Sequence, residues 1–184
     1  VSKASSLDAS DRKVLGSSMP TWYGGWNNTV SYKNFDLNVF FRFSGGNKIM
    51  NASRQSALFN MDFSNNGTEI LGRWVSPEQP GDGMTPKIGY GDASSLFNDG
   101  YTDSHFVESG NYLKLSTLAL GYTLPKAVVS KLNMTKIRFY VQGQNLLTIT
   151  GYSGLDPETN SRLGVDWNGM PQQRSFTFGA NITF

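Results

Sequence analysis

The sequence predicts an all-β chain, the C-terminal part of a larger antiparallel transmembrane β-barrel, to which it gives about five strands. Three observations carry that expectation. Several segments alternate apolar and polar residues with period two. The polar side of those segments includes ionisable residues, as a wet interior allows. The connections between them alternate between short and long.

The clearest alternation is at residues 174–184, where Phe176, Phe178, Ala180, Ile182 and Phe184 share one face. Ser175, Thr177, Gly179, Asn181 and Thr183 take the other. Successive side chains of a pleated strand leave on opposite sides, so this period means a strand. A tilted transmembrane strand needs about 9–11 such residues, apolar outward. A half-buried strand of a soluble sandwich shows the same alternation.

Composition narrows the choice. Among 184 residues, 16% are charged and 13% aromatic, with 20 glycines, against about 25% charged in an average globular protein. The net charge of +2 and the lack of a Lys/Arg run argue against a nucleic-acid surface. Zero cysteines exclude disulfides, thiolate nucleophiles and cysteine metal sites. No apolar run is long enough for a transmembrane helix, a test that β-barrels escape. The mean hydropathy of −0.36 is neutral on this point. No signal peptide opens the chain, so an exported protein would contain it as a mature or internal piece.

In chain order, residues 1–20 read as a loop. A strand follows with Trp26, Asn28, Val30 and Tyr32 on one side, and Lys33-Asn34 forms a two-residue turn in which Asn34 is expected to take the positive φ. The return strand puts Phe35, Leu37, Val39, Phe41 and Phe43 outward and Asp36, Asn38, Phe40 and Arg42 inward. Residues 44–109 lose periodicity and read as a long extracellular loop. The next strand, near 111–124, slips its alternation, so a β-bulge is expected near Ser116-Thr117. Pro125 stops it, and residues 126–133 allow one or two helical turns. Residues 136–149 form a strand with Ile137, Phe139 and Val141 outward and Arg138, Tyr140, Gln142 and Gln144 inward. A second extracellular loop, 150–173, leads to the closing C-terminal strand, 174–184. With the C-terminus in the periplasm, every long connection falls outside the cell. Five strands cannot close around a lumen, since the smallest such barrels have about eight.

Six segments then show a resemblance. Trp22-Tyr23-Gly24-Gly25, Tyr32-Lys33-Asn34-Phe35-Asp36-Leu37, Tyr112-Leu113-Lys114-Leu115, Leu120-Gly121-Tyr122-Thr123-Leu124-Pro125, Gln144-Asn145-Leu146-Leu147-Thr148 and Gly154-Leu155-Asp156-Pro157-Glu158 occur in this order. Together they resemble the C-terminal part of a SusC/RagA-type TonB-linked (TonB-dependent) outer-membrane transporter. The resemblance implies a barrel of about 22 strands with an N-terminal plug and a TonB-contacting segment, both absent from this chain. It implies a SusD-type surface lipoprotein as lid, and import of oligosaccharides or peptides. It also implies that the aromatic terminal strand is read by the barrel-assembly machinery, through Phe176, Phe178, Ile182 and Phe184. The remainder of the same transporter and the lipid bilayer complete the expected partners, and no cofactor is expected. The beginning inside a loop is read as a proteolytic nick or a separate segment of one transporter. Siderophore or cobalamin uptake is the nearest alternative; a soluble all-β binding or adhesion module is the alternative of another class.

No catalytic constellation is visible. His105 reads as a surface histidine without a Ser/Asp pattern around it. Gly45-Gly46-Asn47-Lys48 lacks P-loop spacing and reads as a turn. The N-x-[ST] triplets read as chance. Asp156-Pro157-Glu158, with Asp166 as a further oxygen, invites a metal reading, but an Asp-Pro turn is the commoner meaning. The loop aromatics Trp74, Tyr90, Tyr101 and Trp167 can stack on sugar rings or peptide side chains, or equally fasten the loops to each other or to the lid.

Overall fold

The computed structural model describes residues 10, 12–55, 65–85, 87, 104–158 and 163–184. Its contacts divide the chain into two units. A sheet unit comprises Pro20–Gly46, Gly110–Gly151 and Pro171–Phe184; a loop unit comprises Val1–Met19, Asn47–Ser109 and Tyr152–Met170.

The sheet unit is one antiparallel sheet of five strands. They are β1 (Trp22–Tyr32), β2 (Phe35–Gly45), β5 (Tyr112–Thr123), β6 (Lys136–Thr150) and β8 (Ser175–Thr183), neighbours in that order. Register converts alternation into faces. The row Val30, Leu37, Leu120, Val141, Phe178 crosses all five strands, as does the adjacent row Ser31, Asp36, Gly121, Tyr140, Gly179. One face is therefore apolar and the other polar. The apolar face is bare: Trp26, Val30, Phe35 and Phe178 are 56%, 55%, 51% and 79% exposed. A continuous apolar surface of this kind needs a covering, and lipid is the one a barrel wall uses.

The expected bulge is present. Phe40 pairs with Thr117 but Phe41 with Leu115, so Ser116 is the extra residue of β5. On β6, Asn145 and Leu146 lie opposite it, Asn145 with a φ of 53°. Asn145 Nδ2 donates to the Gln173 carbonyl at 3.0 Å, which fixes the approach to β8. At the β1–β2 turn the structure corrects the expectation, because the positive φ belongs to Lys33, at 55°, and not to Asn34. Asn34 is held by its neighbour strand: its Nδ2 donates to the Thr123 carbonyl at 2.7 Å, and its own carbonyl accepts the Thr123 N–H at 2.8 Å. A side chain committed to a neighbouring strand leaves the strained conformation to the other turn residue. The 126–133 segment forms the expected turns, α1 (Lys126–Val129) followed by a 3-10 turn (Ser130–Leu132). The Gly45–Lys48 segment is a turn at Gly46, φ 82°.

The loop unit has a sheet that the sequence does not announce. β3 (Lys48–Asn51) pairs antiparallel with β4 (Val107–Ser109) and parallel with β7 (Val165–Asp166). Strands of two to four residues are too short to display a period, and their partners are remote in sequence. Phe106 is fully buried there, with Met50 and Ile70 against it.

Candidate functional site

Two groups of residues carry chemistry: the polar face of the sheet and the polar centre of the loop unit.

The polar face is built from short hydrogen-bonding side chains interrupted by an ion pair and aromatic rings. Asn38 Nδ2 donates to Asn27 Oδ1 and to Thr29 Oγ1, both at 2.9 Å. Arg42 Nε donates to Ser116 Oγ at 3.0 Å, so the bulge serves to aim the serine at the arginine. Lys114, between Arg42 and Thr148 in register, is 1% exposed, its ammonium 5.9 Å from the Tyr112 ring. Arg138 of β6 reaches over β5 to Asp36 of β2, its Nε donating to Oδ1 at 2.9 Å and its Nη2 to Oδ2. Gly121 makes that crossing possible: a Cβ there would stand 2.2 Å from Arg138 Nη2 and 2.5 Å from Asp36 Oδ1. Gly179 gives the same clearance to the Tyr140 ring, which would lie 2.4 Å from an added Cβ. The Arg138 guanidinium also sits 5.4 Å from the Tyr140 ring centroid. The result is a polar wall whose hydrogen bonds tie neighbouring strands to one another.

In the loop unit Arg54 is the hub. Its Nε donates to Glu69 Oε2 at 3.0 Å, its Nη2 to the same oxygen at 2.6 Å, and its Nη1 to Glu108 Oε1 at 3.3 Å. Glu69 above all, then Glu108, raises the guanidinium further above its ordinary value. Glu108 also accepts from Ser153 N and Ser153 Oγ, each at 2.7 Å, and from Asn51 Nδ2 at 3.2 Å. Nearby, Tyr152 donates its hydroxyl to Asp166 Oδ2 at 2.6 Å, and burial first, then that hydrogen bond, pushes the phenol up. His105 is half-buried, edge-on to Phe106 at 4.9 Å with Nε2 3.4 Å from Arg54 Nη2. It serves packing and the arginine cluster.

The acid oxygens considered for a metal are used in turns. Asp156 Oδ1 accepts the Glu158 N–H at 3.0 Å, and Asp166 Oδ1 accepts the N–H groups of Asn168 and Gly169 at 2.9 and 3.3 Å. Among the described residues no three His, Cys, Asp or Glu side chains group to hold a metal.

The loop aromatics are placed differently from one another. Trp74 is tied into its own loop: its backbone N–H donates to the Thr85 carbonyl at 2.9 Å and Lys87 Nζ lies 5.9 Å from its ring. That loop is closed by Asp82, whose Oδ1 accepts the N–H groups of Thr85 and Met84 at 2.7 and 2.8 Å and whose Oδ2 accepts from Thr85 Oγ1. The Thr85 N–H foremost holds the Asp82 carboxyl below its usual range. Trp167, beside the left-handed Asn168, is 73% exposed. Tyr90 and Tyr101 lie outside the described residues. Arg54, Glu108 and Gly121 were not singled out for function by sequence reasoning; only the inward parity of Asp36 and Arg138 hinted at their pairing.

No protein-family model matches the chain. Two TonB-dependent receptors of Formosa agariphila are 32% and 31% identical over 188 and 190 residues, each covering 97% of this chain. SusC of Bacteroides thetaiotaomicron, also a TonB-dependent receptor, is 25% identical over 194 residues. A solved structure of the RagAB peptide transporter superposes over 97% of the chain with a TM-score of 0.82 at 26% identity. The RagAB peptide importer in its closed-closed state superposes over 94% with a TM-score of 0.79. The chain spans 18% of each of the two Formosa relatives and 19% of that RagAB transporter chain. Its sheet is thus barrel wall, with the polar face to the lumen and the apolar face to the outer-membrane lipid. The chain belongs to the SusC/RagA-type TonB-dependent receptors, as a C-terminal segment of the barrel of one.

Proposed function

We propose that this segment is part of the wall and outer loops of a TonB-dependent importer of nutrient oligomers, oligosaccharides or peptides, across the Gram-negative outer membrane. The observation that carries the reading is the two-faced sheet, bare and apolar on one side and hydrogen-bonded on the other, in a chain that aligns throughout with SusC and RagA-type receptors. The remainder of the same transporter supplies a plug, the rest of the barrel and the contact to TonB. A SusD-type surface lipoprotein closes over the mouth. The long connections 44–109 and 150–173 lie outside the cell and the short turns in the periplasm. Trp74, Tyr90, Tyr101 and Trp167 contact substrate or lid, Trp167 foremost because of its exposure. The match to SusC and RagA-type proteins favours this over siderophore or cobalamin uptake, and the bare apolar face favours it over a soluble module.

In this role the lumen face works by being satisfied. Asp36 and Arg138 neutralise each other and Arg42 is held by Ser116, so a passing solute meets side chains already fixed to the wall. Cells lacking the transporter are expected to lose growth on, and uptake of, one polymeric nutrient. Undiminished uptake of a panel of labelled peptides and oligosaccharides would overturn the reading.

The apolar face of β8, with Phe176, Phe178 and Ile182, together with Phe184 just beyond its end, is the feature that the barrel-assembly machinery reads. Replacing Phe176 and Phe178 by serine is expected to lower the assembled transporter in outer-membrane fractions severalfold. Equal amounts of heat-resistant barrel in both strains would refute it.

A further inference from the structure

The end of the sheet that carries the β1–β2 and β5–β6 turns has an unbalanced charge. Asp36 is the one acidic side chain of the whole sheet unit, and Arg138 holds it. Lys33, Lys126, Lys131 and Lys136 stand around this end, all exposed. They ride on one connected rim. Asn34 is bonded twice to Thr123, Leu124 N–H donates to the Ile137 carbonyl at 2.8 Å, and Thr135 N–H donates to the Thr183 carbonyl at 2.7 Å. Lys33 is also held by its left-handed backbone, with its ammonium 5.3 Å from the Tyr32 ring.

The same rim has apolar tips. In the β5–β6 connection Val129 is 2% exposed, whereas Val128 and Leu132, one helical turn apart, are 46% and 54% exposed. They share a face, and Lys126 and Lys131 flank them. Behind them the lipid-facing side ends in aromatics, with Phe35 and Tyr122 rings 4.7 Å apart and Phe139 next in register. Aromatics at headgroup level, apolar tips and surrounding lysines are what an interfacial segment presents to an anionic bilayer surface.

We propose that this rim is a binding surface for anionic phospholipid headgroups. Lys33, Lys126, Lys131 and Lys136 meet the phosphates, and Val128 and Leu132 enter the top of the acyl layer. The proposal rests on the outer-membrane reading above with the short turns periplasmic, where the leaflet is phospholipid; lipopolysaccharide would be the phosphate source on the other side.

The test uses the full-length transporter in nanodiscs of phosphatidylethanolamine mixed with phosphatidylglycerol and an equal amount of lipopolysaccharide, with the lipids retained on extraction measured by native mass spectrometry. The parent is expected to retain phosphatidylglycerol severalfold above its bulk fraction. Enrichment should fall to the bulk ratio in about 1 M salt, where the Debye length is about 3 Å, and in the variant K33Q/K126Q/K131Q/K136Q. The variant V128S/L132S should retain less lipid overall while keeping the salt dependence. The salt titration needs no substitution, so it decides even where a variant fails to fold. Absence of enrichment in the parent, enrichment indifferent to salt and to the lysines, or lysine-dependent retention of lipopolysaccharide in place of phosphatidylglycerol overturns the proposal. Normal nutrient uptake without enrichment sinks this inference alone; absence of the transporter from the outer membrane sinks the importer reading.

Discussion

Gly121→Ala is expected to destabilise the assembled barrel by up to about 1 kcal/mol, the cost of displacing the part-exposed Arg138–Asp36 pair. Placed on an Arg138→Ala background, it is expected to stabilise by about 0.5 kcal/mol. The sign reverses because two effects of the same methyl group compete. Any β-carbon helps a strand interior, since glycine has more backbone freedom to lose. Here the β-carbon would sit 2.2 Å from Arg138 Nη2, so the guanidinium must leave Asp36 or the strand must move. The ion pair itself is part-exposed, with side-chain exposures of 21% and 31%, so Arg138→Ala alone should cost only about 1 kcal/mol. With the arginine gone, only the Asp36 carboxylate, whose Oδ1 lies 2.5 Å from the added Cβ, has to swing aside, and as a freed, part-exposed side chain it can, so the ordinary strand preference wins. Urea midpoints of full-length transporter in one detergent, measured for the four members of the cycle, give the coupling. Equal effects of Gly121→Ala in both backgrounds would show that the glycine answers to something other than the Asp36–Arg138 crossing.

That cycle also marks where sequence reading stops. Parity alone put Asp36 and Arg138 on the inward face, and the slipped alternation of residues 111–124 located the bulge at Ser116. Most strand ends were legible within a residue or two because long strands repeat their pattern enough times to define it; the exception is the start of β1, which begins at Trp22, four residues before the alternation that sets in at Trp26 after Gly24-Gly25. The pairing of Asp36 with Arg138 was not legible. It needs β5 between the two strands, their register, and a glycine at the crossing point, and none of these is a local property. The turn at Lys33-Asn34 shows the same limit on a smaller scale. Asparagine is the usual owner of a positive φ, but Asn34 spends its amide on Thr123, and the strain passes to lysine. In the loop unit almost nothing was legible, since β3, β4 and β7 are shorter than any period and Arg54 lies in no motif. Of the aromatics singled out there, the structure ties Trp74 into its loop and leaves Trp167 presented to solvent.

Arg54→Ala is expected to loosen the loop unit by about 2–3 kcal/mol, with Arg54→Lys intermediate. The arginine is the common partner of two carboxylates from different segments, and its guanidinium also sits 5.8 Å from the Phe106 ring. Glu69 is 40% exposed and can return to water at little cost. Glu108 is 13% exposed and cannot, so its loss of a cationic partner dominates, in the range for a charge-assisted hydrogen bond left unmade. Its remaining donors, Ser153 and Asn51, are neutral. Lysine keeps a charge but not the fork that reaches Glu69 and Glu108 at once. Because Glu108 belongs to β4, Asn51 to β3, and Ser153 adjoins the Tyr152–Asp166 pair that leads into β7, all three short strands should loosen together. Hydrogen exchange on full-length transporter should therefore speed up at 48–51, 107–109 and 165–166 while the five long strands stay protected. If the long loops read the nutrient, uptake should fall in the order parent, lysine, alanine, following loop order and not barrel stability. Unchanged exchange in the alanine variant would mean that Phe106 packing alone holds the unit. Faster exchange with unchanged uptake would keep the structural role of Arg54 and remove the loop unit from substrate recognition.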